Sequence, residues 1–306
     1  MGIIGAEKMK KQEALVSIVA LSYNASRYIL ELLESIKQQT YKNIELIIAD
    51  DASRDNTVWI VNEWLKENGA YFTRYEVCAL KENKGTVCNL NGALKRCTGD
   101  YVKIIAADDM LFSTCIEDCL TYCESNQVQV VIGDALWVLD DGVTETPHNE
   151  IPGEKEAFYS CDALGQYKLL LESNNVICTP GEFFKRVFLE RYGYFDEKYD
   201  IIEDYPFWLK ITSAGEKIYY LDKKVVKYRQ SATSATNPEK NTTIYNVRAS
   251  KASKRIFYDW RFKSLLREGK YRLAFRDVRR YFIRDLVIAL GNSRKNIVCY
   301  GLTRFE

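Results

Sequence analysis

The chain has 306 residues, 47% hydrophobic and 28% charged, enough for a sizeable core and too ordinary for a disordered or low-complexity protein. No apolar run is long enough to span a bilayer (the nearest, Leu286–Leu290, is far too short), which excludes crossing a membrane by its own helices. The net charge of +1 hides a split: residues 241–306 hold 16 Lys/Arg against 5 Asp/Glu, net +11, leaving −10 on the first 240 residues.

In chain order, residues 15–22 (LVSIVALS) read as a buried strand: a continuous apolar run rich in β-branched residues. Helical periodicity follows over 27–38, then a second apolar strand over 44–49 that stops at Asp50-Asp51. Residues 56–66 are predicted helical, 74–79 a short strand, 86–96 a helix after Gly85, and 101–106 a further strand ending before Asp108-Asp109. Ser113 is placed to cap a helix running through Cys123, and 128–132 return as a strand. Such alternation predicts an α/β fold with a mostly parallel central sheet flanked by helices.

The second half is less regular. Asp141-Gly142 marks a hairpin between 136–140 and 143–146. Residues 163–172, 182–191 and 204–213 read as helices, and 218–221 and 225–228 as two short strands. From about Thr243 the pattern becomes two or three basic amphipathic helices.

Parallel sheets bind ligands at the carboxyl ends of their strands, so acids there stand out. Asp51, at the end of a buried strand, suits hydrogen bonds from a base N–H or ribose hydroxyls, whereas Asp55 reads as a helix cap. Asp108-Asp109 are adjacent carboxylates that repel each other; a Mg²⁺ or Mn²⁺ ion would relieve this, and a solvated helix N-terminus would also accept them. Glu203-Asp204 lie among apolar and aromatic residues, which suits either a raised pKa and general-base work or a capped helix start.

Taken together, five segments in order resemble family 2 of the inverting glycosyltransferases over roughly residues 15–230. They are Val16 to Asn24, Glu45 to Thr57, Asn83-Lys84-Gly85 with Asn91, Gly99 to Asp109, and Gly193 to Asp196 followed by Glu203-Asp204. The resemblance implies the A-type glycosyltransferase (nucleotide-diphospho-sugar transferase) fold and transfer of a sugar from a nucleotide sugar, a UDP-sugar by family habit, to an acceptor hydroxyl in cell-surface polysaccharide or glycolipid synthesis. It places Ala20, Ser22, Asn24, Asp51, Lys84, Gly85, Asp108 and Asp109 around the donor, Mn²⁺ or Mg²⁺ on Asp108, Glu203 on the acceptor side, and Asp204 as general base. Ala106 stands where the family often has the first acid of D-x-D.

The implied organisation is a flexible 1–14, a catalytic domain over 15–240 (donor half 15–133, acceptor half 134–240), and a basic helical region over 241–306. Those basic helices suit an anionic membrane surface, packing on the acidic body, or a second subunit in a homodimer; no nucleic-acid motif accompanies them. Nine cysteines, odd in number and without CxxC, after a polar lysine-bearing start, are expected reduced in a cytoplasmic setting, peripheral to the inner face of the plasma membrane. Cys115, Cys119 and Cys123 share a helix face, read as packing over metal binding. The lone His148 excludes a His-rich zinc site. Two rival readings stay open: a catalytically inactive sugar-nucleotide- or glycan-binding subunit, suggested by Ala106, and a nucleotidyltransferase on a related sheet, disfavoured because SYNASRY replaces a Gly-rich phosphate loop.

Overall fold

The computed structural model describes residues 13–146, 153–172, 176–199, 202–230 and 247–291. Residues 1–12 of the expected N-terminal segment, and His148, lie outside them.

Four strands form the parallel half: β1 (Val16–Ser22), β2 (Ile44–Asp50), β3 (Arg74–Ala79) and β4 (Tyr101–Ala106), in the order β3-β2-β1-β4. Alternation along each strand feeds two cores. Ile18, Leu46 and Ile48 enter one, and Val19, Ile47 and Ala49 the other. Helix α1 (Ile29–Lys37) buries Ile29, Leu32, Leu33 and Ile36 on one stripe, each side chain contributing about 1.5–3 kcal/mol. Helices α2 (Thr57–Asn68) and α4 (Cys115–Asn126) cover the same face, while α3 (Thr86–Leu94) covers the other. Cys115, Cys119 and Cys123 sit in the first core, as packing residues. Helix α4 begins at Cys115 after Thr114, and Ser113 instead offers its carbonyl to the Thr40 amide.

The sheet continues through β7 (Glu182–Lys185), β6 (Val130–Leu139), β8 (Tyr219–Gln230) and the two-residue β5 (Met110–Leu111), eight strands in all. Strand β7 runs antiparallel to both β4 and β6. The helix expected over 182–191 is therefore a strand followed by the short α7 (Arg186–Arg191), because Phe183 and Phe184 fill opposite cores from the centre of the sheet. The two strands expected over 218–228 are one, β8, with a register shift beside Gly133/Asp134. The hairpin after β6 forms as read, with Gly142 at φ +71°. Helices α5 (Glu154–Ser160), α6 (Ala163–Glu172) and α8 (Asp204–Ser213) complete the second layer.

Beyond the sheet, α9 (Val247–Ile256), a π-helical turn (Phe257–Phe262), α10 (Lys263–Arg267) and α11 (Tyr271–Gly291) form the helical appendage. It packs on the body: Ile256 joins the second core, Tyr199 Oη donates to Asp259 at 3.1 Å, and Arg261 Nε donates to the Leu171 carbonyl at 2.7 Å. Of the readings for the basic tail, packing on the body thus holds for the inner faces. No helix of the described residues is long and apolar enough to cross a membrane.

One close approach fixes the joint between the two halves. A Cβ on Gly181 would lie 1.9 Å from the Gly133 carbonyl oxygen, so only glycine lets the segment before β7 rest on β6. Gly181→Ala is expected to destabilise the fold by roughly 1–3 kcal/mol, read as a lower urea midpoint at unchanged slope.

Candidate active site

The carboxyl ends of β2, β1 and β4 lie side by side and are stitched by backbone bonds. The Asp51 amide donates to the Ser22 carbonyl at 2.9 Å, and the Ala107 amide donates to the Leu21 carbonyl at 2.8 Å. Two residues on this rim hold left-handed backbone: Asn24 at φ +50° and Ala52 at φ +62°. Alanine is rarely found there, and such strain concentrates at functional sites.

Asp51 is buried, and its two oxygens accept the amides of Lys84 (2.7 Å) and Gly85 (3.0 Å). Gly85 adopts φ +87°, ψ +157°, a region open in practice only to glycine. Asp51 thereby pins the 83–85 loop against β2 while keeping lone pairs for a further donor. Lys84 is exposed on that loop. Ser22 donates to Asp50 at 2.9 Å, and the Asn24 Oδ1 accepts the Arg54 amide at 2.8 Å. Asp50 accepts the Ser53 amide and closes a turn; Asp55, read as a helix cap, lies one residue before the N-cap Asn56 and accepts the Ser26 and Thr57 amides. Ala20 does not reach the rim: at 0% exposure, it pairs with Ile48 and Ile105 inside the first core.

The two acids after β4 face different environments. Burial raises the Asp108 pKa above the usual carboxylate range. Asp109 is 2% exposed, and its Oδ1 accepts the Arg229 amide at 2.8 Å. Burial first, then the charge of Asp108, raises its pKa well above normal. Beneath both lies Arg229, itself buried: its Nε donates to the Asp108 carbonyl at 2.8 Å, it pairs with Glu31 at 2.6 Å, and its guanidinium sits 4.8 Å from the Tyr28 ring centre. Sequence reasoning missed Arg229, since nothing local in Val225–Gln230 marks a buried cation.

Asp204 is brought to the same rim by β7. Because β7 runs antiparallel to β4, its leading segment Thr179–Gly181 lies toward the carboxyl end of β4. There Thr179 Oγ1 donates to Asp204 Oδ2 at 2.6 Å. Fully buried Lys103 holds that segment by donating to the Pro180 and Glu182 carbonyls. Neither Thr179 nor Lys103 was foreseen; the Thr-Pro-Gly turn was the available signal. Glu203 stands at the N-cap of α8, where burial and then the Asp204 charge push its pKa up to about 7. Glu182 is buried with one unpartnered oxygen, and burial raises its pKa well above normal. Asp204 also borders a cavity of about 220 Å³ shared with its neighbour Tyr205 and with Phe257, Arg261 and Tyr281 of the appendage.

Among the described residues no group of three or more His, Cys, Asp or Glu side chains is arranged to hold a metal. With Ala106 lacking a ligand and Asp109 bonded to β8, Asp108 is the acid of this segment suited to a cation. A hard ion held by one carboxylate plus phosphate and water oxygens fits that donor set.

A parallel sheet with acids on its carboxyl rim, continued through the antiparallel β7 into a mixed half whose helix α8 brings in another acid, matches a nucleotide-diphospho-sugar transferase fold. The chain belongs to Glycosyl transferase family 2, whose model matches residues 17–193. It is 31% identical over 256 residues to an uncharacterized glycosyltransferase of Haemophilus influenzae, covering 76% of this chain and 72% of that one. Over 257 residues it is 28% identical to the Escherichia coli UDP-Glc:alpha-D-GlcNAc-diphosphoundecaprenol beta-1,3-glucosyltransferase WfaP, covering 83% and 84%. Among solved structures it resembles Staphylococcus aureus TarS 1–349 in complex with UDP-GlcNAc (TM-score 0.58, 20% identity, 79% of this chain and 66% of that one). It also resembles the Pyrobaculum calidifontis mannosyltransferase PcManGT with GDP-Man and Mn²⁺ (TM-score 0.55, 19% identity, 83% and 64%). These likenesses show the A-type glycosyltransferase fold.

The raised pKa of Glu203 has a sign that can be measured. Between pH 4.5 and about 7 the unfolded chain loses this proton while the folded chain keeps it, so stability falls as pH rises through that window. Glu203→Gln is expected to gain in urea midpoint relative to the parent as pH increases across it; a constant difference would contradict the burial of the charge.

Proposed function

We propose that the enzyme transfers a sugar from a UDP-sugar to a hydroxyl of a lipid-linked glycan, with inversion, at the cytoplasmic leaflet. The observation carrying this reading is the Thr179-held carboxylate of Asp204 on the same rim as Asp51 and Asp108. The WfaP relative, named for UDP-Glc and a diphosphoundecaprenol acceptor, and the UDP-GlcNAc complex of TarS support the donor and acceptor classes.

Asp51, fixed by two amides, accepts hydrogen bonds from the uracil N–H or the ribose. Lys84, exposed on the same loop, sits near the nucleotide. Ser22 and Asn24 shape the pocket floor through their bonds to Asp50 and Arg54. Asp108 would hold Mn²⁺ or Mg²⁺, which when bound offsets the charge of the diphosphate. Asp204 takes the proton of the acceptor hydroxyl as that oxygen attacks the anomeric carbon from the face opposite the leaving group. The Thr179 bond holds the carboxylate in position, and Glu203 beside it lines the acceptor approach.

Asp204→Asn should lower kcat by about 10²–10⁴-fold while UDP-sugar affinity, measured by calorimetry, stays within error. Full activity in this variant refutes the base assignment. Chelation should abolish release of UDP, and Mn²⁺ should restore it. A chain that binds the donor but releases no nucleoside diphosphate under any metal condition is a binding subunit, not a transferase.

A further inference from the structure

Helix α11 has two faces of different character. Its inner face packs on the appendage through Ala274, Asp277 and Tyr281, all buried. Its outer face leaves Tyr271, Phe275, Phe282 and Leu286 at 57%, 59%, 68% and 50% exposure. At 3.6 residues per turn these four fall within about 60° of arc, a single strip along the helix. Arg272 and Arg279, both exposed, border the strip. Of the acids of α11, Asp277 lies on the inner face and pairs with Arg261 at 3.2 Å, and Asp285, at the other border of the strip, is paired with Lys254.

Large apolar side chains aligned beside arginines, with no acid on the strip, are the composition of a helix lying in a lipid interface. Free phosphate would satisfy the arginines and leave the aromatic strip in water. An anionic bilayer satisfies both, the headgroups meeting the arginines and the acyl boundary taking the rings. Placement adds a second argument: Tyr281, on the inner face of this helix, walls the 220 Å³ cavity that Asp204 borders. A helix seated on lipid would therefore hold that cavity close to the membrane surface.

We propose that the outer face of α11 docks the enzyme on an anionic membrane, the helix standing between the bilayer and the Asp204 cavity. The use of that nearness by a lipid-anchored acceptor rests on the acceptor reading above; the docking does not.

The test is sedimentation of the full chain with vesicles of phosphatidylcholine alone or mixed with phosphatidylglycerol. UDP binding and oligomeric state are measured on the same samples. The parent should sediment with the anionic vesicles and not with the neutral ones. Phe275→Ser with Phe282→Ser, and separately Arg272→Glu with Arg279→Glu, should each weaken sedimentation by about tenfold or more, with UDP affinity unchanged. The proposal is overturned if the parent stays in the supernatant, or if either double variant sediments like the parent. It is equally overturned if these variants convert a dimer to a monomer without altering vesicle binding, which would make the strip a subunit interface. A parent that docks but does not bind UDP sinks the donor assignment and leaves the docking intact.

Discussion

The ammonium of Lys103, buried in the middle of β4, joins the two halves of this molecule. A lysine with no exposure needs acceptors for its protons, and the Pro180 and Glu182 carbonyls take two of the three. Those carbonyls belong to the segment that enters β7, so the bond that satisfies the charge also draws an antiparallel strand against the parallel half. Thr179, one residue before that segment's proline, then reaches Asp204. The position of the proposed base thus follows from the burial of a cation several residues away. The Gly133–Gly181 contact lets the backbone come close enough for this to happen.

Electrostatics on the rim follow a division of labour. Carboxylates that accept amides or hydroxyls, such as Asp50, Asp51 and Asp55, brace the loops. Asp108, Asp109, Glu182 and Glu203 instead lie in surroundings that disfavour charge, and burial lifts all four. Arg229 offsets part of that cost from below, spreading its donors over the Asp108 carbonyl, Asp140 and Glu31. A rim with excess negative charge in reserve is suited to gain a cation together with a phosphate-bearing ligand.

How much of this was legible in the sequence depends on where each signal is stored. The parallel half was legible because strands buried on both faces read as apolar runs, and Val16–Ser22, Ile44–Asp50 and Tyr101–Ala106 form close to where the pattern put them. Asp51, Asp108 and Asp204 were legible because each follows or opens an element whose end was clear. Strand β7 was not, because Phe183, Phe184, Val187 and Phe188 have a spacing that suits a helix as well as a buried strand, and only Lys103 and β6 decide between them. Ala20 was carried to the donor pocket by likeness of motif, yet it lies inside the sheet rather than at its end. Arg229 and Lys103 had no local signal: their partners are 121 and 77 residues away in the chain.

The ends of the sheet carry a further consequence. At one end β5 is only two residues long. At the other, β3 bears Arg74 and Glu76, tied into a chain of ion pairs with Glu45 and Arg96. Short or charged borders of this kind discourage neighbouring molecules from adding strands to one another. These borders therefore work against fusion of neighbouring sheets when copies of the protein are concentrated on a surface.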